Sequence, residues 1–258
     1  NSLDSLVGKF SASSVAIRRI IENLTDSIMR SFKNLFYKIR TPLVEAGKRR
    51  ALTIEQARFQ FEGLGMDIEA TMDSANKAVL GTAFGLDEAA MAAAMFGASG
   101  MRAGKEMTTS LRAISGVAAM TGSSYSDIAN VFTSIAGNGR VMGNDLLRLS
   151  VRGVNAAAIL GKSMGKSEAD VRQMVTKGQI DFETFSKAMD DAFGEHSTKA
   201  SETFKGSLSL VNSAIQRIGA TMFAQGFVDK KNLFNAITPQ INELHEALKP
   251  LINTFNDY

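Results

Sequence analysis

The sequence has no cysteine, which removes disulfides and thiolate metal sites together and is compatible with a reducing cytoplasm. It has only three prolines, Pro42, Pro239 and Pro250, so everything between the first two is free of the strongest helix breaker. Its two histidines, His196 and His245, stand far apart and outside any HExxH-type spacing, and are read as surface residues rather than metal ligands. No secretory signal can be read. Nor is there a long apolar run: Asp87 and Glu88 interrupt the alanine- and methionine-rich stretch, and the uncharged run from Ala89 to Met101 falls short of the roughly 20 residues that a membrane span needs.

What remains is rich in Ala, Leu, Met, Lys and Glu, while the alternating Val, Thr and Tyr of strands are scarce. The expected fold class is all-α. With 258 residues, 45% of them hydrophobic, the chain can bury a sizeable core in one or two domains. Charge is unevenly spread. Up to Gln60 there are 11 Lys/Arg against 5 Asp/Glu, or +6, and the remainder, 18 against 21, is −3. The basic segment, including Arg18, Arg19, Arg30, Lys33, Lys38, Arg40, Lys48, Arg49 and Arg50, can attract phosphates or acidic lipid, but a solvated helix face is the preferred reading.

Apolar periodicity and capping residues divide the chain into helices. Val15 to Ile39 carries a stripe at Ile17, Ile20, Ile21, Leu24, Ile28, Phe32, Leu35 and Ile39. Pro42 restarts a helix that runs to about Phe61 and closes at Gly63 and Gly65. A domain boundary is expected there, giving a basic segment 1–62, a helical domain 63–225 and a C-terminal segment 226–258. Within the domain, Met107, Leu111, Ile114, Val117 and Ala118 line a helix ended by Gly122. Ser124 with Asp127 forms an acidic capping box for a helix that closes on Gly137 and Gly139. Asn144 caps the next, which stops at Gly153, and Ser167 with Asp170 opens one that stops at Gly178. Asp181 caps a helix burying Phe182, Phe185, Met189 and Phe193 before Gly194. The expected architecture is a compact array of short helices, preceded by long amphipathic helices and followed by a longer helix from Thr198 to about Gln225. A last helix from Thr238 is bent at Pro250. The glycine pairs Gly81/Gly85 and Gly100/Gly104 are read as turns or tight crossings.

Chemistry is hard to find. "GNGRVMGND" has the glycines of a phosphate loop without its terminal Lys-Ser/Thr or a preceding strand. Asp190 and Asp191 point in different directions on a helix and are read as a solvated face rather than a glycosidase pair. The segments "SEADVRQMV" and "DFETFSKAM" are spaced like a helix-turn-helix, but the second offers Asp181, Glu183, Asp190 and Asp191 where DNA reading needs donors.

The stretch from Leu111 to Phe223, through "GRVMGNDLLRL", "RGVNA", "LGKSMGKSEADVRQMVTKGQIDFETF" and "SETFKGSL", resembles the tape measure domain of long-tailed bacteriophages over a little under half of the chain. Its motif positions here are Gly143, Leu146, Leu149, Gly153, Met164, Val171, Met174, Gly178, Phe182, Phe185 and Phe204, taken as structural. Asn155 stands where relatives often carry proline. The resemblance implies a non-enzymatic tail protein without cofactor or small-molecule substrate, which sets tail length, scaffolds the tube and takes part in genome delivery. It implies as partners other copies of the chain, a trimer being one option, together with tail tube, tail tip and assembly chaperone proteins, and the host envelope during ejection. It places the protein in the tail lumen of the virion, and in the host cytoplasm during assembly. A membrane-active or pore-forming tail module is the alternative, and a peptidoglycan-cleaving module lacks a catalytic constellation. The start at Asn1 and the end at Tyr258, within a helical pattern, are expected of a piece of a longer chain.

Overall fold

A computed structural model of the protein describes residues 47–200, together with Ser213, Ala214, Gln216, Arg217 and Pro239. The chain divides into two compact units, Asn1–Glu45 and Ala46–Tyr258, and the described residues belong to the second. The expected helix at Val15–Ile39, the Pro42 restart, the segment from Pro239 onward apart from that residue, Phe204 and His245 lie outside the described residues. So does most of Thr198–Gln225.

The fold is all-α. Helix α1 (47–63) is followed by α2 (Ile68–Val79), α3 (Leu86–Ala98), α4 (Lys105–Thr121), α5 (Tyr125–Asn138), α6 (Gly143–Ser150), α7 (Ala156–Met164), α8 (Glu168–Thr176), α9 (Phe182–Phe193) and the single turn α10 (His196–Ala200). The array is organised around α4, which packs against α2, α3, α5, α9 and α10. Its expected apolar set is buried, and so are Ser110, Ala113, Ser115 and Gly116, so α4 is enclosed on nearly all sides. Helices α6, α7 and α8 pack on one another and join the rest through α5 and α9. Ala57 and Phe61 of α1, one turn apart, are fully buried in the same core. The boundary expected after residue 62 thus runs through one packed unit: the glycines there close a helix rather than a domain.

Local chemistry sets the helix ends. The Ser124, Asn155, Ser167 and Asp181 side chains accept the N–H groups of Asp127, Ala158, Asp170 and Thr184, at 3.1, 3.2, 3.1 and 2.8 Å. At Ser167 the box is reciprocal, since Asp170 accepts the Ser167 N–H at 3.3 Å. At Ser124 the hydroxyl alone makes the cap. Asn155, standing where proline was expected, also donates to Glu168 at 3.0 Å and so ties the starts of α7 and α8 together. Three ends differ from the sequence reading. Asn144 lies inside α6 rather than capping it: the buried Asp145 carboxylate instead accepts the Met142 N–H at 2.9 Å. Gly137 is helical, and Gly139 alone supplies the left-handed close of α5. Gly194 ends α9 in the right-handed region, at φ −54°, so its role there is not a left-handed cap.

Gly178 closes α8 at φ +67°, with its N–H donating to Val175 and that of Gln179 to Met174. Its missing side chain also leaves room for Arg140, whose Nη1 would lie 2.8 Å from a Cβ. There the α5–α6 and α8–α9 connections meet: Arg140 and Asp181 form an isolated antiparallel bridge, and the Val141 N–H donates to the Ile180 carbonyl at 2.9 Å. "GNGRVMGND" is therefore the close of α5, one side of this tie and the start of α6.

Candidate functional site

The closest helix contact in the array is the seam between α4 and α9. Along it the Ser110 and Ser186 hydroxyls are 2.8 Å apart and buried. Arg112 then grips Asp190 through both of its branches, Nε to Oδ1 at 2.7 Å and Nη2 to Oδ2. Further on, a Cβ at Gly116 would lie 2.1 Å from the Phe193 carbonyl oxygen, so the two backbones touch at a point that only glycine admits. Beside the seam, Phe185 meets Phe132 with ring centroids 4.9 Å apart, and Phe182 meets Phe96 at 5.5 Å.

Asp190 is thus not on a solvated face. Its side chain is 4% exposed and its charge is matched by a guanidinium from α4. That hydrogen bond raises the Arg112 pKa above its ordinary value. Asp191 is exposed and pairs with Lys187 at 2.7 Å, one turn back on the same helix. The adjacent aspartates therefore face different partners, which leaves no carboxylate pair for acid–base chemistry.

A second polar cluster lies where α3 begins. Burial pushes the Glu88 carboxyl above the usual carboxylate range, against the opposing pull of the Gly85 N–H, which donates to it at 3.0 Å. Asp87 stands 3.7 Å from Arg50 of α1, whose side chain is almost wholly enclosed. Burial, with Glu88 nearby, pushes the Tyr125 hydroxyl pKa well up, and that hydroxyl donates to the Leu111 carbonyl at 3.0 Å. These groups are occupied in holding α1, α3, α4 and α5 together.

A cavity of about 490 Å³ opens where the α3–α4 connection passes Ala136 and Phe182; Arg102, Lys105 and Glu106 supply its charged rim. No nucleophile stands with a base there. Among the described residues there is no group of three His, Asp or Glu placed to hold a metal, and no helix is long and apolar enough to cross a membrane. His196 is exposed, with its ring 5.8 Å from that of Phe193.

The motif positions sort by their structural work. Leu146, Leu149, Val171, Phe182 and Phe185 are brought into one core, with Met164 and Met174 packed against it. Gly153 and Gly178 take positive φ after α6 and α8, and Gly143 is the exposed first residue of α6. The sequence reading missed Ser110, Arg112 and Gly116, which face α9. The signal for them was there: small and polar residues at helical spacing within an otherwise apolar helix.

No curated protein and no solved structure matches the chain. The family described as "Tape measure protein" matches residues 51–222, 172 of the 258 residues. That match begins within α1 and spans every described helix after it, so this array of short helices, built around α4 and tied by its seam with α9, belongs to the tape measure protein family, structural proteins of the bacteriophage tail.

Proposed function

We propose that this region is a compact folded domain of the tape measure protein, distinct from the part that measures. A ruler works by length, and a helix supplies about 1.5 Å per residue, so residues 47–200 drawn out as one helix would span about 230 Å. The observation that carries the reading is that the same residues are folded back into helices no longer than the 17 residues of α4, closed by caps at both ends. A single such helix spans about 25 Å.

In this reading the whole protein sets tail length, scaffolds the tail tube and travels in the tail lumen to take part in genome delivery, and is made and assembled in the host cytoplasm. The domain supplies a docking body for tail tube, tail tip or chaperone proteins and for other copies of the chain. The family is structural, and the domain's polar clusters serve packing rather than turnover.

The test is electron microscopy of tails from phage carrying a core-destabilising change such as Phe185→Ala. The proposal expects fewer finished tails, with those that form keeping their normal length. A shift in tail length with normal yield would assign the region to the rod.

A further inference from the structure

Two exposed apolar surfaces of opposite electrostatic setting remain once the core is accounted for. On α6, Leu147 and Val151 stand one turn apart and are 60% and 73% exposed. They crown the stretch Arg140–Lys177, which carries seven Lys/Arg against three Asp/Glu. On α1, Leu52 and Phe59 are 50% and 74% exposed, two turns apart on one face. By helical spacing the exposed Glu55 and Glu62 share that face, with Lys48 one turn before it. Single exposed apolar residues are ordinary, whereas paired ones along one helix face mark a surface that binds.

We propose that these surfaces are the two halves of one contact between copies of this chain, in which the α1 stripe of one copy lies against the α6 crest of the next. Each half has two large apolar side chains to cover, and the charges around them are of opposite sign. Crest against crest, or stripe against stripe, would bring like charges together, so a symmetric pairing through either surface alone is disfavoured. The contact is therefore head-to-tail, and it either closes into a ring or continues. A phosphate backbone fits the crest less well. Arg152 donates to the Arg148 carbonyl at 2.7 Å, and Arg148 lies 4.0 Å from Asp145, so both arginines are drawn back and the aliphatic side chains stand outermost. Four apolar side chains make a small interface, so association depends on concentration rather than being permanent.

Its role in a virion rests on the tail reading above, but the contact itself stands on the two surfaces alone. The test is sedimentation of the full 258-residue chain, beside a crest variant (Leu147→Glu with Val151→Glu) and a stripe variant (Leu52→Lys with Phe59→Lys). All six side-chain environments concerned are at the surface, so melting curves of the variants should match the parent. The parent is expected to exceed the mass of one chain as concentration rises and to fall back as salt is added. Each variant alone should remain at the mass of one chain. An equimolar mixture of the two should regain a two-chain species, because one retains the stripe and the other the crest. A parent that stays monomeric, variants that associate like the parent, or a mixture that stays monomeric would each overturn the contact, while leaving the tail reading untouched. Binding of the monomeric parent to duplex DNA or acidic vesicles, lost in the crest variant, would overturn it in favour of a phosphate-bearing partner.

Discussion

Replacing Gly116 by alanine sets two physical effects against each other. In an isolated helix the change is favourable by about 0.8–1.0 kcal/mol, since alanine has the highest helix propensity and glycine loses the most backbone freedom on folding. In this fold the new Cβ would lie 2.1 Å from the Phe193 carbonyl oxygen and 2.5 Å from its carbon. Those are backbone atoms of α9, which cannot swing away as a side chain can. The seam must open, loosening the Ser110–Ser186 hydrogen bond and the grip of Arg112 on Asp190. Overpacking of a tight core costs typically about 1–3 kcal/mol, and a clash with backbone belongs at or above the upper end of that range. Close approach wins, and a net loss of about 1–2 kcal/mol is expected after the propensity gain. For a unit of this size that lowers Tm by roughly 2–8 °C. Gly137→Ala is the control. It is also a helical glycine, but it is exposed, and the nearest atom to its Cβ is the Ser99 hydroxyl at 3.7 Å, an ordinary contact. That change should stabilise by about 0.5–1 kcal/mol. Paired denaturant melts read both, and a Gly116→Ala protein as stable as the Gly137→Ala protein would refute the close approach of α4 and α9.

Phe185→Ala should cost about 3–5 kcal/mol in denaturant melting, because it empties a fully enclosed site against Phe132, whereas Phe59→Ala, at a largely exposed ring, should change stability by less than about 0.5 kcal/mol. The Arg112–Asp190 pair should be asymmetric. Arg112→Met strands a buried carboxylate at a cost of up to about 3–5 kcal/mol, while Asp190→Asn leaves a half-exposed guanidinium that water can solvate, and costs less; equal losses would contradict the burial assigned to the two groups. Glu88→Gln tests the buried acid. Its pKa is raised from 4.5 in the folded chain, so the folded state holds the proton more tightly than the unfolded one, and the stability this supplies below pH 4.5 is lost as pH rises through the folded value. The glutamine variant should be at least as stable as the parent at neutral pH and lose that advantage below pH 4.5; a variant less stable at neutral pH would mean that the carboxylate is held there as a needed charge.

Helix ends were legible where their chemistry is local. Ser167 with Asp170, Asp181 before Phe182, and Gly178 after α8 each act within four residues, and so do the apolar side chains that recur along α4. The Asn144–Asp145 pair shows the limit of such reasoning. Either residue can serve a helix start, and the choice fell to Asp145 because its carboxylate reaches the Met142 N–H from inside the first turn. Asp190 shows it more sharply. Next to Asp191 it reads as part of a polar surface, and only the arrival of Arg112 from 78 residues away makes burial of that charge tolerable. Gly116 was hidden for the same reason, since what requires it is the backbone of a distant helix. At α1 the compositional break at Gly63–Gly65 was real, but burial of Ala57 and Phe61 decides membership of the core. The tail assignment was carried by motif resemblance, because nothing in the array performs a reaction from which a role can be deduced.

The central claim, that this region is a folded body and not a length of ruler, is tested most directly by insertion. The turn at Leu80–Gly81, between α2 and α3, is exposed and has open space around the glycine, so an in-frame insertion of about 20 helix-forming residues there is compatible with the fold. If these residues were part of an extended helical rod, that insertion would lengthen every tail by about 30 Å, at about 1.5 Å per residue. Tail lengths measured by electron microscopy of the resulting phage are predicted to be unchanged, and a uniform increase of about 30 Å would contradict the account.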